Sequence, residues 1–446
     1  MTKFISALTG IAAAMFGVAH AEPPVPAFSF AEVWSKVATH SKMQKAGSFD
    51  ADAASVANDR AARHQWPHLS LDARVFATQD PAMSFFSRLA QRSVTMNDFA
   101  PEALNYPGRA TYERVTLGFD WPIYEGGSRS ALSDFQESLL DSKRLENRAI
   151  QVAEFAKTAE LYGALLIAKE REDTIAPVRD LLGSTISNYA IGIKANPIGH
   201  SGLLGMQALR NRIDGELTAN AAKRMTAARA LAILAEELPD RFRPKNQDFL
   251  EFTDGIFSRG TRTDSFAVLA QEAASRGMSN LTRAEKAKFL PKIAVFSEGY
   301  LAGGDRSSAT GYTAGVYLQW DLFNAQNFGS VREASLRGSA AESRADAKRQ
   351  QERLEADQLS GALNATRAAI DLASRSIVLM EQQTEISRKL FKNGMINALQ
   401  FTEVLSRRID AILSRSEAQE QYLSMMSRLM TIYPLQLGPA QLGDKT

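Results

Sequence analysis

The chain carries few side chains suited to metal ligation or acid–base work: five histidines (His20, His40, His64, His68 and His200) and no cysteine. Two histidines four apart on one helix face can share a metal, as in H-E-x-x-H. His64 and His68 have that spacing, but Trp66-Pro67 lies between them. Proline breaks the helix that would align the two rings, and no acidic companion accompanies them. They read as surface or barrel-rim histidines, and His200 as a solvated loop residue. Without cysteine there is no disulfide, thiolate metal site or lipidated N-terminal cysteine. No G-x-x-x-x-G-K-[ST] occurs, so the chain has no nucleotide cradle of that type. Gly126-Gly127 and Gly303-Gly304 read as turn punctuation, and no Ser-His-acid trio has a supporting signature. Lys+Arg number 52 against Asp+Glu 50, which leaves no electrostatic footprint for nucleic acid. The reading is of a non-enzyme with no catalytic residue, metal or cofactor.

The elements around these residues say more. Residues 1–21 read as a signal peptide: Lys3, an apolar stretch from Phe4 to Val18, and Ala19-His20-Ala21 as the cleavage site. No later apolar run is free of charges, so an integral membrane protein of this sequence must cross as β-strands. The mature chain is duplicated. Trp66-Pro67-His68-Leu69-Ser70-Leu71 matches Leu290-Pro291-Lys292-Ile293-Ala294-Val295, Phe119-Asp120-Trp121 matches Leu318-Gln319-Trp320, and Arg212-Ile213-Asp214 recurs as Arg408-Ile409-Asp410. Each copy holds two segments of period-two alternation, predicted as strands at about 69–77 and 115–124, then 292–301 and 311–323. That is the length of a tilted membrane-crossing strand.

A long helix follows each hairpin, predicted at 128–190 and 330–392, with return helices at 203–237 and 398–432. Leu359, Leu363, Thr366, Ile370, Ala373, Ile377 and Met380 step by four and three, the seam of supercoiled helices. Pro177 is expected to kink the first long helix. Further helices are expected near 29–65 and 264–289. The domain division is a first repeat 22–237, an irregular belt 238–263, a second repeat 264–433 and a tail 434–446.

Four strands cannot close a barrel, and an open edge in lipid leaves polar groups unsatisfied. Three chains supply twelve strands, an allowed number for a barrel with a lumen. The expected fold class is therefore mainly α with membrane β: a trimeric 12-stranded barrel, four strands per chain, continued by a long α-helical coiled-coil barrel.

Leu290-Pro291 before the third strand, Trp320-Asp321-Leu322-Phe323 after the fourth, and the duplicated tips Tyr189-Ala190-Ile191-Gly192 and Phe391-Lys392-Asn393-Gly394 resemble the TolC family of outer-membrane efflux proteins, over nearly the whole mature chain. The resemblance implies a homotrimer in the lipid of the outer membrane with its helical tube in the periplasm. It would be the passive exit duct of a tripartite efflux system, working with a periplasmic adaptor and an inner-membrane pump of RND or ABC type. Type I polypeptide secretion uses the same fold and stays open as an alternative. A soluble periplasmic coiled-coil scaffold or adaptor accounts for the helices but not for the alternating strands. The transported substrate is not legible in the sequence.

The resemblance also implies sites. Tyr189, Ile191, Gly192, Ile193, Phe391, Asn393, Gly394 and Met395 are the expected adaptor-docking tips, and capping of the helix ends is the alternative role for the two glycines. The family's D-x-x-D gate pattern falls on Gln400 and Glu403, with Glu403 the only acid. Three copies of Glu403 would focus a negative field on the pore axis, whereas a plain i,i+4 pair with Arg407 is the alternative. Two departures stand out: Phe391 occupies a position that is usually tyrosine, and the loop from Thr78 to Arg114 is long enough either to fold into the mouth as a partial plug or to remain solvated.

Overall fold

The computed structural model describes residues 25–190, 197–257 and 263–433. The expected signal peptide, Ile191, Gly192 and Ile193 of the first tip, and the tail 434–446 lie outside the described residues. In chain order the elements are β1 (Ala27–Phe28), α1 (Phe30–His40), α2 (Lys42–Ala62), β2 (His68–Thr78), α3 (Pro81–Ala90), α4 (Pro101–Asn105), β3 (Ala110–Glu125), α5 (Ser128–Ala190), α6 (Pro197–Ala235), β4 (Arg243–Pro244), α7 (Phe249–Ile256), α8 (Phe266–Ala287), β5 (Lys292–Gly304), β6 (Ser308–Gln319), α9 (Ser330–Lys392) and α10 (Ala398–Ile432).

The four long strands form one antiparallel sheet in the order β2-β3-β5-β6, so β2 and β6 are its free edges. The register puts Ser70, Asp72 and Arg74 level with Gly118, Thr116 and Arg114, and these with Glu298, Tyr300 and Ala302 on β5. One face is therefore largely polar. The other carries Leu69, Leu71, Val75, Val115, Leu117, Trp121, Ile123, Leu301, Tyr312, Val316 and Leu318, all of them exposed. Pro122 has no N–H to donate, and the β3–β5 register shifts between Pro122 and Tyr124. Trp121 and Trp320 close the strand ends by donating from Nε1 to the carbonyls of Gln65 (2.9 Å) and Phe289 (3.1 Å).

α5 and α9 each contain 63 residues, about 95 Å of helix at 1.5 Å per residue. Among the described residues no helix is long and apolar enough to cross a membrane. Leu359, Leu363, Ile370 and Ile377 on α9 are buried, as are Leu405, Ile409, Ile412, Leu423 and Met430 on α10, so the heptad seam is the packed one. Two apolar cores result. One surrounds Trp34, Phe155, Tyr162, Phe252 and Tyr422, where α1, α7 and the long helices meet. The other, toward the tips, surrounds Ile175, Leu182, Met206, Phe401, Leu405 and Ile409. Gly163 permits the belt to close on the first core, because a Cβ there would lie 2.7 Å from Leu423 and 3.2 Å from Phe252. Ion pairs stitch the repeats together: Arg212–Asp410 (2.5 Å), Lys223–Glu420 (2.8 Å) and Arg415–Glu170 (3.0 Å).

Several expected boundaries are corrected. β3 begins at Ala110 rather than 115, because its first residues pair with the end of β2. The fourth strand ends at Gln319, and Trp320 to Phe323 lie beyond it. The helix expected over 29–65 is broken at Ser41, whose hydroxyl caps α2 by accepting from the Gln44 amide. The first return helix begins at Pro197, not 203, with proline at its first position, where no N–H is needed. His200 is therefore helical rather than in a loop. The belt is not wholly irregular: it contains β4, which pairs in parallel with β1, and α7, which is capped by Asp248. Gly303-Gly304 ends strand β5, and the turn falls after it. α5 continues as one helix through Pro177.

Truncating Phe252, which is 1 % exposed at the centre of the first core, should cost about 3–5 kcal/mol. Denaturant titration followed by far-UV circular dichroism checks this, and the conservative Phe252→Leu should recover much of the loss.

Candidate functional site

At the tip end, α5 and α9 turn back into α6 and α10. α9 ends with Asn393 as its cap and Gly394 at φ 71°. The Met395 amide donates to the Leu390 carbonyl at 2.9 Å and the Gly394 amide to that of Phe391 at 3.0 Å. This is a Schellman closure, in which a left-handed residue lets the last carbonyls find donors. A Cβ at Gly394 would meet no atom within 4 Å, so the glycine is required by its backbone angle, not by crowding within the chain. Met395 is exposed and Asn393 is on the surface.

Tyr189 and Phe391, one from each repeat, approach with ring centroids 5.5 Å apart. Phe391 also stacks on Phe401 at 5.1 Å with planes 8° apart. The ring at 391 thus does its work through its faces. At Gly202 a Cβ would sit 2.5 Å from that of Ala398, so the Ala398 methyl packs directly on the backbone of the first return helix just above the tips.

Gln400 is the third residue of α10 and completes a capping box. Its amide donates to Asn397 Oδ1 at 2.9 Å, and its side-chain oxygen accepts from the Asn397 amide at 3.0 Å. Sequence reading placed Gln400 only as a neutral gate position; the N-x-x-Q spacing is the signal that identifies its capping role. One turn on, Glu403 is exposed and pairs with Arg407 at 2.9 Å. Such an exposed i,i+4 pair contributes only about 0.3–0.5 kcal/mol. Within a single chain the structure thus puts Glu403 in the local pair and leaves its carboxylate accessible. His64 and His68 fall on different elements, a 3-10 turn and the start of β2. His40 Nδ1 donates to the Lys36 carbonyl at 2.9 Å, and its Nε2 lies 3.3 Å from Glu237. Among the described residues no group of three or more His, Asp or Glu could hold a metal.

At the opposite end, the loop between β2 and β3 is folded. Asp80 caps α3 by accepting from the Met83 amide at 2.7 Å, and Pro81 opens the helix. A 3-10 turn at Met96–Phe99 and the short α4 follow. Asp98, 3 % exposed, accepts from Arg88 at 3.0 Å and from both terminal nitrogens of Arg306 at 2.7 and 2.9 Å. The Arg306 guanidinium, and next the Thr95 amide, hold the Asp98 carboxyl well below its usual range. Arg92, at φ 54°, closes the end of α3 in a conformation that usually calls for glycine, and its guanidinium donates to the Thr310 carbonyl at 3.1 Å. The sequence reading singled out the length of this loop but not Asp98 or Arg306, which lie 208 residues apart.

No family model and no curated protein matches the chain. Solved structures do. CusC, in a structure concerned with conformational changes accompanying folding and transmembrane channel formation, superposes with a TM-score of 0.74 at 12 % identity, covering 92 % of this chain and 93 % of that one. The outer membrane protein VceC of Vibrio cholerae gives 0.71 at 14 % identity over 90 % and 95 %. The open state of the Neisseria gonorrhoeae MtrE outer membrane channel gives 0.71 at 14 % identity over 94 % and 91 %. At such identities the likeness is one of fold, and it extends over nearly the whole chain.

Gly394→Ala should lose about 1 kcal/mol from the strained left-handed angle and fray the end of α9. Hydrogen exchange at the amides of Asn393 to Met395 should accelerate, and Gly394→Asn should exchange more slowly than Gly394→Ala, since asparagine tolerates that angle better.

Proposed function

We propose that this protein is the outer-membrane channel of a tripartite efflux system, a passive duct without catalysis or cofactor. One observation carries the reading: a four-stranded sheet of membrane-spanning length with an exposed apolar face ends in two unpaired edges, and each repeat continues it into a helix about 95 Å long. Edges in lipid demand partners. Copies of β2 and β6 supply them to one another, and three copies make twelve strands with the apolar face toward lipid and the polar face around a lumen. The likeness in fold to outer membrane channels supports the same reading. So does the repeat organisation, with a first repeat at 22–237 and a second at 264–433 each contributing a hairpin and a helix pair.

In this assembly the helices form a periplasmic tube. Tyr189, Phe391, Asn393, Gly394 and Met395 stand at the end that an adaptor's helical hairpin would meet, with an RND-type or ABC-type inner-membrane pump beyond it; Ile191, Gly192 and Ile193 are proposed as docking residues on their sequence alone. Glu403 is the proposed gate charge: a threefold axis would bring three carboxylates together, each held only by a weak exposed pair with Arg407. Gln400 beside it adds no charge and serves the helix cap.

Light scattering of detergent-solubilised protein should give three chains per particle; a folded monomer that retains its strands would overturn the reading. In planar bilayers, multivalent cations added from the tip side should block the channel, and Glu403→Ala should relieve the block. Equal block of both proteins would leave Glu403 a surface charge.

A further inference from the structure

We propose that residues 79–109 are a prefolded plug seated inside the outer mouth of the barrel, and that the apolar faces of three such plugs meet on its axis. The proposal rests on the trimeric-barrel reading. Three features of the chain carry it: the face of the sheet on which the segment sits, the inverted polarity of α3, and the clamp that fixes it.

The seat is on the polar face. Tyr112 continues the row of Thr116 and Arg114 on β3 and pairs with Phe76 and with Gly304. It is 1 % exposed, and its hydroxyl reaches toward the Ser84 carbonyl of α3 at 3.5 Å. Ala302 and Gly304, the next residues of the same row on β5, are also covered: Ala302 is 5 % exposed, and a Cβ at Gly304 would lie 2.6 Å from the Gln91 amide. The face that encloses the lumen when the apolar face meets lipid is thus the face on which α3 rests.

The helix is polar inside and apolar outside. Ser84 and Gln91, each 1 % exposed, together with Arg88, face the sheet and the clamp, whereas Met83 (51 %), Phe86 (63 %) and Leu89 (51 %) form an exposed stripe at three-residue spacing. An isolated soluble cap would be built the other way round. In a closed barrel this stripe points away from the wall and toward the axis, where the only matching surfaces are those of the other two copies. Twelve strands spaced about 4.8 Å and tilted about 40° enclose a cylinder roughly 24 Å across at the backbone. Three helices of about 10 Å diameter need a circle roughly 22 Å across, nearly the whole backbone-to-backbone width before any wall side chain is counted, so three plugs leave no open passage at the mouth.

The clamp holds the segment in place. Arg306, in the β5–β6 turn, grips Asp98 with two nitrogens and donates to the Ser93 carbonyl at 3.3 Å, and Ser307 donates to the Gln91 carbonyl at 2.7 Å. The plug, which leaves the sheet at the β2 edge, is thereby fastened to the far hairpin.

The absence of cysteine allows single-cysteine tests in the full chain. Phe86→Cys should form covalent dimers on oxidation, whereas Asp50→Cys on α2 should not. Thr116→Cys, on the lumen face below the plug, should react with a bulky maleimide added outside intact cells about tenfold more slowly than the same cysteine combined with Arg306→Ala, or with residues 81–107 replaced by a Gly-Ser turn. This readout does not depend on the state of the helix tips. Particles of three chains that fail to cross-link at position 86, or equal labelling of Thr116→Cys with and without the plug, would overturn the plug alone. Particles of one chain would overturn the barrel reading and the plug with it.

Discussion

The outer edges of β2 and β6 have no ladder partner among the described residues. An 11-residue edge strand such as β2 turns about ten backbone polar groups outward. In lipid each costs several kcal/mol, so one bare edge would cost tens of kcal/mol against a whole-domain stability of roughly 5–15. No side-chain packing within a single chain offsets that. The need for strand partners from outside the single chain is therefore the constraint on which the sheet, and everything attached to it, would depend in a membrane.

The helices solve a different problem. Their seams are narrow, and much of what they bury is small or polar: Ala356, Ser416 and Gln419 sit in line with Leu363, Ile409 and Ile412. Exposed ion pairs such as Lys223–Glu420 and Arg179–Asp214 each contribute at most about 1 kcal/mol, and they set alignment more than stability. The aromatic core around Trp34, Phe155 and Phe252 supplies the concentrated burial, at the level where the belt helix α7 packs on α5. Toward the tips the second core continues through Met206, Leu405 and Phe401, on which Phe391 stacks.

The two ends of the molecule use charge in opposite ways. Asp98 is enclosed by two arginines and its own capping box. Removing one partner would strand a buried charge, so the arrangement is rigid. Glu403 is open to water with a single neighbour, and its field is available to whatever comes near. The same residue class thus serves as a buried rivet at one end and as an exposed, singly paired charge at the other, according to burial.

Period-two alternation and the four-three seam depend only on local geometry, so the strands, the 63-residue helices and the duplication were legible in the sequence. The glycine at 394 was legible too, because a helix end needs a left-handed residue whatever surrounds it. The start of α6 at Pro197 was missed because proline was taken as part of a loop, although it suits a first helical turn. How the long loop from Thr78 to Arg114 folds was not legible, although its length raised a plug as one of two readings. Its buried face is polar, so no apolar periodicity marks it, and its fastening joins Asp98 to Arg306 across 208 positions. The sequence by itself determined which segments are strand and helix and that they occur twice. Only the tertiary structure decided which face of the sheet the loop covers and which charges are enclosed, because those outcomes depend on contacts between residues distant in the chain.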